Sequence, residues 1–158
     1  MSRACPFEIE LTSRLRRPLR VGRLLRRVAE HTLRSEGFVR GALSIALVGS
    51  RAMSTLHARY LGRRGPTDVL AFDLGTDRSL RHVEGEVIIC ADLAARRARA
   101  RRGRRSAFHA ELALYAVHGI LHLAGYDDGA PADYRRMHAR EDELLTELGL
   151  GPVFGGAR

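Results

Sequence analysis

The spacing of apolar residues predicts four strands and five helices along the chain. Residues 7–11 alternate apolar and charged positions as a half-buried strand does, and residues 85–90 form a β-branched strand between turn signals. Short apolar runs predict the other two strands at residues 43–48 and 69–72. Apolar residues recur at helical spacing over residues 18–35, 50–60, 92–102, 106–124 and 132–148. Because strands and helices do not alternate regularly, the pattern predicts an α+β fold with a small, mixed, four-stranded sheet.

Length and composition are typical of one globular domain. The chain has 158 residues, of which 45% are hydrophobic and 28% charged, so we interpret 1–158 as a single domain with a loose glycine-rich tail at 149–158. No apolar run approaches the ~20 residues that span a bilayer, and the N-terminus lacks the apolar core of a signal peptide. We therefore expect a cytoplasmic protein with no membrane partner. Cys5 and Cys90 are interpreted as unpaired thiols, without a disulfide-linked partner.

The charge balance indicates an anionic partner. The formal net charge is +9, and all 27 basic side chains other than histidine are arginines. An excess of this size favours nucleic acid over a membrane surface, since no basic segment also presents a large aromatic face.

One segment carries the spacing of a metal site. His118 and His122 lie four residues apart on a predicted helix, so both imidazoles share one face. Gly125 ends that helix and lets a returning loop bring Asp128 to the same ion. Three protein ligands leave a fourth position for water, whose pKa a bound metal lowers toward neutrality. We therefore predict one Zn²⁺ per chain at the end of this helix and the following turn, with the metal-bound water as the catalytic group.

Several neighbouring residues are weaker candidates. Asp127 is an alternative third ligand, or a residue that orients an imidazole N–H. His138 is a further alternative but is interpreted as a surface residue of the last helix, and Glu111 as a helix-surface carboxylate. Thr67 and Asp68 either shape the cleft or, as we favour, turn the chain into the next strand. The remaining histidines are interpreted as ordinary polar residues: His31, His57, His82 and His109.

The segment from His118 to Asp128, His-Gly-Ile-Leu-His-Leu-Ala-Gly-Tyr-Asp-Asp, resembles the signature of the YbeY family of bacterial zinc-dependent endoribonucleases and rRNA maturation factors. The block Gly65–Phe72, the strand Gly85–Cys90 and the last helix with Met137 and Glu141 are similar to further family blocks in the same order. The resemblance covers about residues 43–150. It implies an α+β fold, metal ligands at His118, His122 and Asp128, and a substrate of single-stranded RNA. It also implies a role on the ribosome or its small subunit, in maturing the 3′ end of 16S rRNA and in ribosome quality control.

Two positions differ from the family pattern. The family usually has a third histidine where this chain has Asp128, and an arginine where this chain has Leu61. A carboxylate also binds zinc, although it is a harder ligand that changes the site's charge. Arg59, Arg63 and Arg64 are close in sequence and are our candidates for contacting RNA phosphates. A second arginine-rich segment is either an RNA surface or a solvated helix face; it contains Arg96, Arg97, Arg99, Arg101, Arg102, Arg104 and Arg105.

Two other functions stay open on the sequence. A metallopeptidase would use the histidine pair, but Gly119 stands where its catalytic glutamate belongs. A non-catalytic ribosome-associated factor would hold the metal as a structural element. A peptidase also leaves the basic charge unexplained, whereas Asp128 and the missing arginine keep the non-catalytic factor plausible; the family resemblance favours the endoribonuclease.

Overall fold

The computed structural model describes residues 5–101 and 105–153. The strands are β1 (Phe7–Ser13), β2 (Arg40–Val48), β3 (Val69–Asp73) and β4 (His82–Cys90). The helices are α1 (Gly22–Ser35), α2 (Ser50–Leu61), α3 (Ala91–Ala100), α4 (Arg105–Leu123) and α5 (Pro131–Glu147). The prediction of an α+β fold with a mixed four-stranded sheet and five helices is confirmed.

The sheet has the strand order β1-β2-β4-β3. β1, β2 and β4 are parallel, with Ile9 opposite Leu43 and Ile45 opposite Val87. β3 pairs antiparallel with β4 and forms an edge. The carboxyl ends of β1, β2 and β4 therefore meet at one end of the sheet. β3 is an edge strand, and it lies beside the long helix α4.

The sheet separates two apolar clusters. The larger one packs α1, α4 and α5 against one face of the sheet and includes Leu25, Leu43, Val87 and Leu121. The smaller one, which includes Met53, lies between the other face and α2. The middle of α4 is buried on every side, from Ala110 to Val117, which explains why its sequence has no clear polar face.

Several predicted boundaries were wrong. α1 begins at Gly22 rather than Pro18, because Leu15 and Leu19 pack partly buried against the core and hold the preceding segment as a loop. β4 begins at His82 rather than residue 85, since pairing with β2 extends the strand through polar residues. Cys90 is buried and Cys5 exposed, and both are free thiols.

The chain after α5 is packed as far as residue 153, unlike the loose tail that the glycines predicted. Val153 is buried, its N–H donates to the Asp142 carboxylate at 3.1 Å, and its carbonyl accepts from Arg101 at 3.1 Å. The rest of the predicted tail, residues 154–158, lies outside the described residues. Within the described part of the chain, no helix is both long and apolar enough to cross a membrane.

Candidate metal centre

Close packing between α4 and the sheet places the histidine pair. A Cβ atom added at Gly119 would lie 2.6 Å from Val87 Cγ1 and 3.3 Å from Val69 Cγ2. At Gly85, on the facing strand, it would lie 2.6 Å from Leu123 Cδ1. The two glycines therefore let the helix approach the sheet closely. His118 and His122 lie next to this contact, and both line the cleft that runs along β3.

A tight turn then brings the chain back over the end of α4. Gly125 has φ of +98°, its N–H donates to the His122 carbonyl at 3.0 Å, and the Tyr126 N–H donates to the Leu121 carbonyl at 3.0 Å. This pattern is a Schellman motif, for which glycine is the usual residue. Beyond it, the Asp127 carboxylate accepts from the backbone N–H of Asp128 at 2.7 Å. Asp127 thus shapes the loop, and its contacts do not support the alternative that it orients an imidazole.

The three predicted ligands lie together at this point. The Nε2 atoms of His118 and His122 are 3.0 Å apart. Asp128 Oδ2 is 3.7 Å from His118 Nε2 and 3.9 Å from His122 Nε2. Nitrogens bound to one zinc ion at about 2.0–2.1 Å necessarily lie within about 4 Å of each other. The spacing of the three side chains is therefore compatible with a single ion among them.

Hydrogen bonds on the far side of each ring orient both imidazoles. His118 Nδ1 contacts Glu141 Oε1 at 2.5 Å, and His122 Nδ1 contacts the Tyr126 carbonyl oxygen at 3.1 Å. Both partners are acceptors, so each Nδ1 carries the proton, and in the neutral ring Nε2 is left with a lone pair for a metal ion. The two Nε2 atoms, 3.0 Å apart, can share a proton when one ring is protonated or bind one metal ion when both rings are neutral.

The two imidazoles have opposite pKa shifts. Burial by itself lowers the pKa of His118, but the hydrogen bond and charge of Glu141 outweigh it, and the pKa is raised. At His122, burial and the neighbouring charge of His118 together lower the pKa. His122 is therefore the more readily neutral of the pair, whereas proton and metal compete more strongly for His118.

Glu141 joins a third histidine to the site. It is fully buried, and its second oxygen, Oε2, contacts His138 Nδ1 at 2.6 Å. The His138 ring stacks on that of His118 with a centroid separation of 6.0 Å. The interpretation of His138 as a surface residue was wrong, because its side chain is only 12% exposed. Since both Glu141 oxygens already accept from imidazoles, we interpret Glu141 as the support of His118 rather than as a ligand.

Two clefts meet beside His118 and Asp128. The metal cleft, of about 230 Å³, lies between α3, α4 and α5 and is lined by Asp68, Arg97, Leu114, Tyr115, His118, Asp128, His138 and Glu141. The edge cleft, of about 400 Å³, runs along β3 and is lined by residues that include Leu61, Thr67, Asp68, Phe72, His122 and Asp128. Asp68, His118 and Asp128 line both clefts, so the candidate metal position is reached from two sides.

Asp68 has two roles, of which the sequence interpretation favoured one. Its Oδ1 accepts from the Val69 N–H at 2.9 Å and so shapes the turn into β3. Its Oδ2 faces Arg97 at 3.5 Å and lines the metal cleft. The turn and the cleft therefore depend on the same side chain.

A polar group beneath the metal cleft was not anticipated. Glu111 was interpreted as a helix-surface carboxylate, but it is fully buried and pairs with Arg101 at 3.1 Å. Tyr115, one turn further along α4, is also buried, and burial and the nearby Glu111 raise the pKa of its hydroxyl. Arg97 lies over the Tyr115 ring at 5.8 Å.

Two arginines of the arginine-rich segment, Arg97 and Arg101, thus have structural partners and do not lie on a purely solvated face. Arg102 and Arg104 lie outside the described residues, as does the side chain of Arg105.

The structure separates Leu61 from the arginines near it. Leu61 is 56% exposed and lines the edge cleft, so the position where the family has an arginine faces the site. Arg59, Arg63 and Arg64 are exposed and are not among the described residues lining either cleft; Arg59 lies over the Tyr60 ring at 5.6 Å. Among the described residues that line the metal cleft, Arg97 is the arginine.

Two histidines and a carboxylate beside an open cleft are typical of metal-dependent hydrolases. Comparison with known proteins identifies the family. The family model "Endoribonuclease YbeY" matches residues 11–149. A protein named "Endoribonuclease YbeY" from Anaeromyxobacter sp. (strain Fw109-5) is 41% identical over 142 residues, which cover 90% of this chain and 72% of the relative. Another of that name, from Chlorobium luteolum, is 42% identical over 79% of this chain and 87% of its own length. The chain therefore belongs to the endoribonuclease YbeY family.

A solved structure has the same fold. The solution structure of TM1509 from Thermotoga maritima matches 95% of this chain and 99% of its own length, with a TM-score of 0.59 and 24% sequence identity. The predicted family and enzyme class, a nuclease among the hydrolases, are confirmed by the family match, and the fold by this structure. The assignment of individual metal ligands stays a prediction.

Proposed function

We propose that this protein is a zinc-dependent endoribonuclease that cleaves single-stranded RNA, with His118, His122 and Asp128 as the metal ligands. Its role would be the maturation of the 3′ end of 16S rRNA and ribosome quality control, on the small ribosomal subunit in the cytoplasm. The family supports the reaction class. The net charge of +9 supports an RNA substrate.

The observation that carries the proposal is the cluster of three ligand atoms, His118 Nε2, His122 Nε2 and Asp128 Oδ2, which lie 3.0–3.9 Å from one another. The donor set of two imidazoles and one carboxylate suits zinc and leaves a coordination position open. When bound, zinc supplies Lewis acidity and lowers the pKa of water toward neutrality. Because Glu141 and the Tyr126 carbonyl fix the Nδ1 protons, the two rings are oriented before any ion binds.

We infer that Arg97 contacts an RNA phosphate beside the proposed metal position. Its guanidinium lines the metal cleft, and its contact with Asp68 at 3.5 Å is long for a hydrogen bond. Tyr115, beneath it, limits where the guanidinium can lie. A guanidinium held in this way can donate to phosphate oxygens and stabilise the negative charge that develops during cleavage.

The packing at Gly119 argues against a metallopeptidase. In the metallopeptidase motif a glutamate follows the first histidine and acts as general base. Even a Cβ atom at Gly119 would lie 2.6 Å from Val87, so a glutamate there would require the helix to move away from the sheet. A glutamate general base at this position is therefore incompatible with the close contact between α4 and the sheet.

The test combines metal content with substrate choice. We expect wild-type protein to contain one zinc per chain by elemental analysis, and Asp128→Ala to lose most of it, while the matched control Glu10→Ala on β1 retains it. In parallel, single-stranded RNA and an unstructured peptide are offered with added zinc, and cleavage of RNA alone is expected. Full zinc content in Asp128→Ala would contradict Asp128 as a ligand, and cleavage of the peptide but not RNA would contradict the proposed function.

A further inference from the structure

A third and larger cleft lies at the carboxyl ends of the three parallel strands. We name it the arginine cleft; its volume is about 700 Å³. Its walls come from the loop after β1, the start of α2, the start of α3 and Phe108 of α4. The described residues that line it include Arg14, Leu15, Arg16, Arg17, Leu19, Gly49, Ser50, Arg51, Asp92 and Phe108. Crevices outside the carboxyl ends of parallel strands are where open α/β sheets bind ligands.

The charges in this cleft are one-sided. Four exposed arginines line it: Arg14, Arg16, Arg17 and Arg51. In the described part of the chain, none of the four has an ion pair or a side-chain hydrogen bond. The cleft's carboxylate, Asp92, accepts the Ser50 N–H at 2.6 Å and so caps α2. With four arginines and, among the described residues, one carboxylate, which is already hydrogen-bonded at the start of α2, the cleft has an excess of positive charge and suits an external polyanion.

The metal cleft, by contrast, does not have the charge to hold RNA. It is lined by three carboxylates, Asp68, Asp128 and Glu141, against one guanidinium, Arg97. A polyanion is repelled by such a set until a metal ion is bound, and even then the attraction is local. The binding energy for a long RNA must therefore come from another surface.

We propose that the arginine cleft binds the sugar-phosphate backbone of a single-stranded RNA segment away from the bond that is cleaved. The inference rests on the proposed function for the identity of the polyanion and assigns a second contact region to it. Guanidinium groups donate bidentately to phosphate oxygens. The partly buried apolar wall of Leu15, Leu19 and Phe108 offers a surface for a sugar or a base, without groups that would select a sequence. The site recognises backbone rather than base identity.

The direct test is a binding measurement with a charge-matched control. The probe is a fluorescent 2′-O-methyl single-stranded RNA of about sixteen nucleotides, the upper end of the site sizes of single-strand binders. Its binding to the full chain with zinc is followed by anisotropy over a range of salt concentrations. The test variant is Arg16→Gln/Arg17→Gln/Arg51→Gln. The control is Arg23→Gln/Arg40→Gln/Arg135→Gln, which removes the same charge from exposed positions outside the cleft.

We expect the test variant to bind at least about tenfold more weakly, and the slope of log affinity against log salt to fall by about 2, because each phosphate contact on a single strand contributes about 0.7. The control variant is expected to stay within about twofold of wild type. Equal losses in both variants would overturn the proposal, since binding would then depend on total charge alone. Unchanged binding in the test variant would overturn it as well.

The result can be separated from the proposed function. The probe measures binding and needs no cleavage, so a failure of catalysis leaves the outcome readable. If the test variant binds the RNA like wild type but no longer sediments with small ribosomal subunits, the RNA proposal is overturned and an acidic protein surface becomes the partner. Circular dichroism and the thermal midpoint show that each variant is folded; the exposed positions predict little change in either.

Discussion

The metal cleft and the arginine cleft are built in opposite ways. At the metal site, His118, His122 and Glu141 are buried or half-buried, and each imidazole has a partner that sets its orientation. In the arginine cleft, the guanidinium groups are exposed and have no anionic partner among the described residues. The first region holds its imidazoles in fixed orientations, and the second concentrates positive charge. The difference teaches that one small domain can carry both a site with fixed geometry, suited to an ion, and an unpaired group of cations, suited to a polyanion.

The largest effect is expected from His118→Ala. The variant loses one ligand and the ring that Glu141 orients, so we expect kcat for RNA cleavage to fall by about 10³-fold, the scale on which loss of an electrostatic stabiliser is felt. His31→Ala, whose imidazole pairs with Glu147 at 2.6 Å on the surface, is the matched control. Steady-state kinetics would check it. A folded, ribosome-bound His118→Ala protein with normal cleavage would instead favour a non-catalytic factor with a structural metal.

Glu141→Gln tests the support behind the metal ligands. The amide keeps the size of the side chain but removes the negative charge that His118 and His138 share. We expect zinc affinity to fall about ten- to hundredfold, the usual result of losing such a partner. Competition with a fluorescent chelator measures the affinity, with Glu143→Gln on the exposed face of α5 as the control. An unchanged affinity would show that Glu141 serves folding alone.

Salt should distinguish the two clefts without a mutation. Between about 50 and 200 mM salt we expect KM for a long RNA to rise more than about tenfold, because several phosphate contacts are screened. The value of kcat at saturating RNA should change little, since the metal cleft is small and its charges lie close together. Parallel losses in kcat and KM would mean that one surface performs both tasks.

Arg97→Gln should reduce the rate of RNA cleavage, whereas Arg96→Gln should not. We expect kcat/KM to fall about tenfold or more, as for loss of one hydrogen bond to a charged group. Arg96→Gln, one residue away on the same helix and exposed, controls for the loss of positive charge. If both variants lose activity equally, Arg97 acts through general electrostatics rather than through a phosphate contact in the metal cleft.

The smallest functional effect is expected from Gly119→Ala, which tests the framework of the metal cleft. The added methyl lies 2.6 Å from Val87, and this overpacking should destabilise the fold by about 1–3 kcal/mol. The higher helix propensity of alanine offsets about 1 kcal/mol of that cost. Gly129→Ala, whose Cβ would meet Asp127 at 3.7 Å, should be close to neutral. Denaturant unfolding would check both. Equal stability of the two variants would show that α4 can shift on the sheet.

Local patterns along the chain predict part of the site. The four-residue spacing of His118 and His122, and Gly125 as a helix terminator, follow from helix geometry alone. The predictions for His138 and Glu111 were wrong because burial depends on which helix faces which. α5 packs against α4, and the side chain of Arg101 reaches Glu111, and neither contact has a signal in local sequence. The role of Glu141 has no local signal for the same reason, although the residue matches the family's last helix.

The sequence by itself determined the α+β class, the order of the elements, the histidine pair and the excess of positive charge, because periodicity, spacing and composition are local properties. Only the tertiary structure decided which charges face each other. It placed Glu141 behind His118 from 23 residues further along the chain, and Arg97 beside Asp68 in a cleft of carboxylates. It also gathered the guanidinium groups of the arginine cleft where three parallel strands end. Such groupings arise from strand order and helix packing, which bring distant segments together and cannot be read from neighbouring residues.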